Sequence, residues 1–180
     1  MKKLLNKTRK INRLLQRSAG HPVDFDEISD VLGKTIGGNV YLVDEQGEIL
    51  SYHLIDQFEC DLMKQEVIEK GYFPDDYNEW LLGITQTRSN YEQEDGQCVF
   101  KEGEECLFKH KLTTVVPING GGQRLGTLVI ARFNEEFDAS DLLLAEYGAT
   151  VVGMEILRLR SEKVEEEARK KAAVHIALET

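Results

Sequence analysis

Residues 112–133, LTTVVPINGGGQRLGTLVIARF, decide the fold of this 180-residue chain. Two runs rich in β-branched and aliphatic residues, 112–118 and 125–133, flank four turn-forming residues at 119–122. Such runs on either side of a glycine-rich turn predict a β-hairpin with both strands inside a sheet. Consecutive glycine amides can also bind an anion, but a hairpin turn accounts for these residues without any ligand.

A second hairpin is predicted earlier in the chain. Runs 39–43 and 48–54 are apolar and β-branched, and they flank the turn-forming sequence DEQG at 44–47. A helix should precede this hairpin, because Asp24 suits an N-cap, Glu27 follows three residues later, and apolar residues continue at helical spacing up to a glycine pair.

The segment between the two hairpins is predicted to be partly helical and partly irregular. Residues 57–70 show the helical spacing of apolar side chains, and Pro74 can open a short helix. From 84 to 111 this periodicity disappears over a stretch too long for an ordinary connection. Irregular segments of that length are usually lids or binding loops.

Helices are also predicted at both ends of the chain. Near the N-terminus, apolar residues share one helical face, bases lie opposite, and the sequence GHP at 20–22 ends the helix. From Asp138 the chain is predicted to be helical to its end, with Asp138 or Ser140 as the cap. A helix over 140–178 would be roughly 58 Å long, so its charged second half must project from the body.

Charge and composition exclude several classes of protein. The chain has 22 Lys and Arg against 32 Asp and Glu, for a formal net charge of −10. Residues 1–23 hold seven bases and no acid, which leaves a balance of −17 in the remainder. An acidic body repels phosphate backbones and disfavours stand-alone nucleic-acid binding, so the basic stretch is interpreted as the solvated face of a helix.

Cellular location is predicted from what the sequence contains and lacks. No apolar run approaches the roughly 20 residues of a membrane span, and the basic N-terminus has no signal-peptide core. Three cysteines without a paired pattern fit reduced thiols. We therefore expect a soluble cytoplasmic protein with no membrane partner.

Catalytic and metal-binding motifs are weak. A GKT tripeptide lacks the glycine that a phosphate-binding loop needs five positions earlier, where Ile28 stands. Cys98, Cys106 and His110 are candidate zinc ligands without an evident fourth. With Cys60, the cysteines form either a redox set or small buried side chains. Nucleophile and metalloprotease motifs do not occur, so no catalytic residue and no metal site are predicted.

Taken together, two antiparallel hairpins, flanking helices and one long insertion predict an α/β (α+β) fold with a central antiparallel sheet. This order matches small-molecule sensor domains of the PAS and GAF type, which enclose a pocket between the sheet and the segments that cross it. An apolar set near the irregular segment suits either core packing or a pocket for an aliphatic group: Met63, Val67, Phe73, Pro74, Tyr77 and Phe100.

Four stretches carry a more specific signal: KTRKIN at 7–12, LTTVVPI at 112–118, GGGQRLGTL at 120–128 and LAEYGATVVGMEILR at 144–158. They closely resemble the CodY family, the nutrient-responsive transcription regulators of low-GC Gram-positive bacteria. The resemblance implies a GAF sensor domain over 1–158, including the N-terminal helix. It also implies a linker helix over 159–180, leading toward a winged helix-turn-helix domain that this chain lacks.

Effectors and partners are also implied by the resemblance. In that family a branched-chain amino acid, chiefly isoleucine or valine, raises the DNA affinity of a dimeric repressor. GTP is a second effector in several members, although this sequence has no recognisable nucleotide motif. The implied partners are the amino acid, a second copy of the chain and, only through the missing domain, DNA. No enzyme activity is implied.

The ligand contacts that the resemblance implies depart from the family at polar positions. Leu62 replaces the arginine that grips the ligand carboxylate, and Cys98 replaces a threonine. Because a buried carboxylate needs a cation or several hydrogen bonds, we expect backbone amides of 96–102, Arg88 or Lys101 to take that role. The full set of expected contacts is Leu62, Met63, Val67, Phe73, Pro74, Tyr77, Cys98 and Phe100.

Two other functions stay open beside the amino-acid sensor. Some GAF domains reduce free methionine sulfoxide with cysteines, and Cys60, Cys98 and Cys106 are candidates for that chemistry. A purely structural dimerisation module would self-associate and bind no ligand.

Overall fold

The sheet at the centre of the fold has five strands in the order β2-β1-β5-β4-β3, and every neighbouring pair is antiparallel. The computed structural model describes residues 1–17, 23–93, 96–133 and 135–179, and the helix break expected at 20–22 lies outside them. In chain order the elements are α1 (Lys2–Arg17), α2 (Phe25–Ile36), β1 (Asn39–Asp44), β2 (Ile49–His53), α3 (Asp61–Met63) with a π-helical turn (Lys64–Ile68), α4 (Asp75–Leu82), β3 (Arg88–Tyr91), β4 (Lys111–Gly120), β5 (Gln123–Phe133) and α5 (Ala139–Glu179).

The hairpin predicted from 112–133 is confirmed as β4 and β5. The turn is tighter than the four residues expected, because Gly120 already pairs with Gln123 and only two residues form the loop. Those two, Gly121 and Gly122, both have positive φ angles, +57° and +75°. Two-residue hairpins of the right twist require this backbone, which glycine adopts without steric cost.

The earlier helix and hairpin are also confirmed, as α2, β1 and β2. The Asp24 side chain accepts a hydrogen bond from the Asp26 amide at 2.9 Å, which caps α2. Gly37 ends the helix in the left-handed region at φ +81° and donates its N–H to the Gly33 carbonyl at 2.8 Å. This is the terminal conformation that glycine provides after a helix.

The two faces of the sheet bury different side chains. On one, which we call the helix face, α1, α2 and α5 cover aliphatic residues such as Leu128 and Ile130. On the other, the loop face, residues 54–111 cover a second cluster that includes Tyr41 and Val129. Alternation along each strand sends neighbours to opposite faces.

The region predicted to be irregular, 84–111, contains a strand that the sequence analysis missed. β3 lies at the sheet edge, where Arg88 pairs with Val115 and Tyr91 with Thr113. Its sequence, RSNY, offers no apolar alternation, so periodicity gave no signal for it. The helix expected over 57–70 is also shorter than predicted, beginning at Asp61 and passing into the π-helical turn.

Helix α5 has 41 residues, about 61 Å at 1.5 Å per residue. Its first half is amphipathic and buries residues as far as Ile156, whereas residues 159–179 are all exposed. Asp138 caps it, accepting the Asp141 amide at 2.9 Å. Within the described ranges, no helix combines the length and apolarity needed to cross a membrane.

An ionic cluster fastens three elements at the start of α5. The Asp141 carboxylate lies 3.0 Å from Arg132 of β5 and 3.2 Å from Lys7 of α1. Burial alone would raise the pKa of Asp141, but hydrogen bonds from Arg132 and from the Asp138 amide outweigh it and hold the pKa below its usual value. The carboxylate is therefore charged at neutral pH and connects α1, the sheet and α5.

Candidate functional site

A small cavity lies on the loop face, between the sheet and the segment that crosses it. This inner cavity has a volume of about 30 Å³, room for about two water molecules. Its floor comes from β1, β4 and β5, and its cover from α3, α4 and the segment 96–108. Most of the lining is apolar, and it includes four side chains with amide, charged or hydroxyl groups: Asn39, Glu105, Lys111 and Thr113.

Seven aromatic rings wall the inner cavity in two groups. In the first, Phe73 packs against Tyr41 at 5.7 Å, Tyr77 at 5.2 Å and Phe100 at 5.8 Å between ring centroids. In the second, Phe108 lies 4.9 Å from both Phe58 and Phe133. Aromatic pairs at these separations are favourable contacts, so the walls are ordered on both sides of the space.

Burial of the phenol groups makes this site a poor place for an unpaired charge. The pKa values of Tyr41 and Tyr77 are both raised, because burial penalises the phenolate form. Both phenols are therefore neutral at physiological pH. An ionised ligand group placed against these rings needs a charged or hydrogen-bonding partner from elsewhere in the site.

A larger outer cavity of about 230 Å³ adjoins the inner one. Three residues, Tyr77, Lys111 and Thr113, line both cavities. The outer cavity adds Trp80 of α4, which stacks on Tyr77 with centroids 5.8 Å apart, and Asp76 near the start of α4. The inner space is thus small and mostly apolar, with Glu105 and Lys111 as its charged lining residues, whereas the outer space is wider and is lined by Asp76 and Lys111.

Five of the eight contacts expected from the sequence line the inner cavity: Leu62, Phe73, Tyr77, Cys98 and Phe100. Met63 and Val67 lie behind the wall, with exposed fractions of 1% and 0%, and they pack in the loop-face core. Pro74 does not line the cavity, and its carbonyl accepts the first hydrogen bond of α4, from Asn78.

Neither side chain expected to replace the family arginine lines the inner cavity. The Arg88 guanidinium lies 4.3 Å from the ring centroid of Tyr91, in a cation–π contact. The Lys101 ammonium lies 3.8 Å from the Glu66 carboxylate on the π-helical turn. The backbone amides of 96–102 are partly engaged, since the Cys98 N–H donates to the Glu104 carbonyl at 2.7 Å.

All three cysteines line the inner cavity. Cys60 precedes α3, and its sulfur accepts the Met63 amide at 3.5 Å. Cys98 and Cys106 lie on a short hairpin closed by a bridge between Gln97 and Glu105. The described residues contain no group of His, Cys, Asp and Glu side chains arranged to hold a metal ion.

Comparison with known proteins decides the family. The model described as CodY GAF-like domain matches residues 3–180. The chain belongs to the CodY family. It is 48% identical over 180 residues to the global transcriptional regulator CodY of Clostridium tetani, and 49% identical to that of Clostridium perfringens. Each match covers all of this chain and 69% of the relative.

Solved structures confirm the GAF fold that the sequence predicts. The cofactor-binding GAF domain of the nutrient sensor CodY from Clostridium difficile matches with a TM-score of 0.61 and 44% identity, over 84% of this chain and 96% of that one. A GAF domain from a phosphoenolpyruvate-protein phosphotransferase of Coxiella burnetii matches with a TM-score of 0.60 at 14% identity, over 89% and 98% of the two chains. The second match supports the fold alone.

The CodY resemblance did not point to Lys111 or to four of the seven aromatic rings: Tyr41, Phe58, Phe108 and Phe133. Phe58, Phe108 and Phe133 come from a loop before α3, a loop before β4 and the end of β5. These residues are too far apart in the chain for a local sequence pattern to indicate that they meet. Lys111 carried one usable signal, since it stands directly before the strongest predicted strand and could be placed at the rim of the sheet.

Proposed function

We propose that this CodY-family chain senses a branched-chain amino acid, isoleucine or valine, and that the aliphatic side chain of this ligand occupies the inner cavity. The observation that carries the proposal is an apolar, aromatic-walled space between sheet and crossing segment. Burial of one such side chain contributes about 1.5–3 kcal/mol. The related Clostridium difficile domain is a cofactor-binding domain of a nutrient sensor, which agrees with a small metabolite as the ligand.

Ligand entry requires the cavity to widen, because about 30 Å³ does not hold a branched four-carbon group. The segment 96–108 is the part able to move, since most of it is exposed. Among its described attachments to the rest of the molecule are one exposed ion pair, Lys101–Glu66, and the ring contacts of Phe100 and Phe108 at the cavity wall. Exposed ion pairs contribute little, so we expect ligand binding to displace and then order this segment.

A route from the cavities to α5 runs through β3. Tyr91 of β3 lines the outer cavity, and its neighbour Asn90 exchanges two hydrogen bonds with the Phe137 backbone just before α5, at 2.7 and 3.1 Å. Thr87 donates to Glu146 of α5 at 2.7 Å. A ligand that shifts β3 would therefore shift the base of α5, provided that it binds one arrangement more tightly than the other.

The regulatory role follows from that route. We propose that 1–158 is the sensor, that 159–180 is a linker helix, and that effector binding raises the DNA affinity of a cytoplasmic homodimer through a segment that the longer CodY relatives contain. The exposed second half of α5 supports the linker assignment. A response to GTP belongs to the same proposal, although the GKT tripeptide lies inside α2 and its Lys34 pairs with Asp30.

The proposal is tested by calorimetric titration of the chain with isoleucine, valine and leucine, and with alanine as a matched ligand that lacks the branched group. We expect isoleucine and valine to bind at micromolar to millimolar concentrations and alanine at least about ten-fold more weakly. A titration with GTP, with and without isoleucine, tests the second effector. Absence of heat and of any thermal shift with all three branched amino acids would exclude the sensor function.

Convergence of the three cysteines supports a second candidate, a reductase of free methionine sulfoxide. Cys98 shares the inner cavity with Cys60 and Cys106, so a sulfoxide held there would contact thiols. The test is turnover of methionine sulfoxide in the presence of a thiol reductant, and its loss in Cys98→Ser. If isoleucine binds and sulfoxide is not consumed, the cysteines serve as part of the apolar wall.

A further inference from the structure

We infer that the charged head group of the effector lies in the outer cavity, with its carboxylate on Lys111 and its ammonium toward Asp76. The inference rests on the proposed amino-acid function. The two cavities then form one bipartite site, in which the inner part takes the aliphatic side chain and the outer part takes the zwitterionic end. Tyr77, Lys111 and Thr113 mark the boundary, since each lines both spaces.

The unequal volumes favour this division of the ligand, because the inner cavity must widen even to admit the aliphatic group. The inner cavity offers about 30 Å³ and the outer about 230 Å³. A carboxylate and an ammonium keep several hydrogen-bond partners when bound, so they need room as well as charge. The inner walls are mostly phenyl and thiol groups with the neutral phenols of Tyr41 and Tyr77, which cannot compensate a full charge, and Lys111 and Thr113 among the polar lining residues are shared with the outer cavity.

Lys111 is the cation placed to meet the carboxylate. It is the first residue of β4 and pairs with Phe133, which lines the inner cavity. Its ammonium lies 5.8 Å from the ring centroid of Phe100, so it is at the mouth of that cavity. In the described part of the chain no carboxylate lies within ion-pair distance of it. A half-buried lysine without an acidic partner is ready to form a charge-assisted hydrogen bond with an incoming carboxylate.

The other cationic side chains of this region contact other residues. Arg88 stacks over Tyr91, and Lys101 reaches Glu66. Neither lines either cavity. Leu62, at the position of the family arginine, contributes only apolar surface to the inner wall. Among the described residues, Lys111 is the cationic side chain that both cavities share.

Asp76 completes the head-group site with the opposite charge. It lines the outer cavity and is exposed at the first turn of α4. Glu105 is the other acid that lines a cavity, and it lines the inner one alone. A zwitterion between Lys111 and Asp76 would pair both of its charges without drawing either into the aromatic wall.

The inference is tested by titrating wild type, Lys111→Met, Lys111→Arg, Asp76→Asn and the control Lys109→Met with three ligands. The ligands are isoleucine, its methyl ester, which has no carboxylate, and 3-methyl-2-oxopentanoate, which has no ammonium. Lys109 is exposed and outside both cavities, so Lys109→Met makes the same charge change without touching the site. Thermal unfolding of each variant checks that it is folded.

Lys111→Met is expected to weaken isoleucine binding about ten- to hundred-fold and to remove the preference for isoleucine over its methyl ester. Lys111→Arg should restore most of the affinity. Asp76→Asn should weaken isoleucine several-fold and leave the oxo acid unchanged, and Lys109→Met should stay within about twofold of wild type. If wild type binds isoleucine and Lys111→Met binds it equally well, the inference is overturned. If wild type binds no branched amino acid, the proposed function itself has failed.

Discussion

The two faces of the sheet differ in what fills them. The helix face is packed with aliphatic side chains from three helices, and Leu32, Leu42, Leu128 and Ile130 have no exposed surface. The loop face is packed with aromatic rings under short helical turns and a hairpin, and it contains both cavities described above. One sheet therefore supports a closed core on one side and an adjustable site on the other.

Because of that difference, neighbouring residues of one strand can contribute separately to stability and to ligand binding. Because side chains alternate on a strand, Leu128 and Val129 are neighbours in sequence and lie on opposite faces. Three helices pack against the helix face, and loss of packing in that aliphatic core is costly. The loop face has weaker attachments, and that weakness is what allows a ligand to enter. Mutations on the two faces should therefore have different consequences.

The largest expected effect is on the helix face. Leu128→Ala should lower the free energy of unfolding by about 3–5 kcal/mol, since a fully buried leucine leaves a cavity, and urea unfolding at pH 7 measures it. Val129→Ala on the loop face should cost less, because it removes fewer carbon atoms than Leu128→Ala and because Val129 already borders an open space. Equal losses at the two positions would contradict the contrast between the faces.

The second effect concerns the ionic cluster at the edge of the helix face. Asp141→Asn should cost about 3 kcal/mol at neutral pH, at the low end for a broken buried pair because Lys7 reaches solvent. The pKa of Asp141 is lowered in the folded state, so the charged carboxylate stabilises the fold above its ordinary pKa of about 4. That contribution is lost as the pH falls through the folded value.

Urea unfolding of both proteins from pH 7 down to pH 3 separates Asp141 from other acids. The difference between wild type and Asp141→Asn should be constant above about pH 5 and should shrink below pH 4. A difference that persists unchanged at pH 3 would mean that the asparagine disturbs packing rather than charge. Isoleucine affinity of the folded variant should be unaffected, since Asp141 lies outside both cavities.

On the loop face, a substitution should affect ligand affinity more than it affects stability. Phe100→Ala should lower the unfolding free energy by about 1 kcal/mol or less, because Phe100 is only half-buried on a hairpin cover. It should weaken isoleucine binding by about ten-fold or more, since one wall of the inner cavity is removed. Calorimetry and thermal unfolding on the same samples measure both. A large stability loss with intact affinity would place Phe100 in the core instead of the site.

Sequence reasoning was most accurate where local pattern and tertiary packing agree. The β4–β5 hairpin and the capped helix α2 were predicted with nearly correct bounds, because turn glycines and N-caps act over a few residues. β3 was missed, since an edge strand with the sequence RSNY has no buried face to impose periodicity. Its pairing with β4 depends on residues more than twenty positions away.

Only part of the site was predicted from the sequence. Phe73 and Tyr77 are close in sequence and Phe100 was expected from the family resemblance, and the structure does bring the three together. Arg88 and Lys101 were expected as relocated bases for the ligand carboxylate, yet their side chains lie against Tyr91 and Glu66. Which lysine reaches a cavity is decided by strand register and loop path, and the spacing of charges along the chain does not reveal it.

The smallest expected effect tests whether the cation that binds the ligand carboxylate lies at a different position in this chain. Leu62→Arg restores the residue type that the family resemblance places at this position, and Leu62 lines the inner cavity. If Lys111 already meets the ligand carboxylate, a second cation adds little, and isoleucine affinity should change by less than about twofold, or about 0.4 kcal/mol. Leu62→Met, which changes volume little and adds no charge, is the control.

The outcome of Leu62→Arg separates two explanations for the altered polar positions. A change within twofold, combined with a loss of ten-fold or more in Lys111→Met, would show that the carboxylate has moved from α3 to the start of β4. A gain of about a hundred-fold in Leu62→Arg would show that the native chain leaves the carboxylate unpaired, since only then does an added cation recover a full charge-assisted hydrogen bond. In the double variant Leu62→Arg/Lys111→Met, recovered affinity would mean that the two cations act on the same carboxylate.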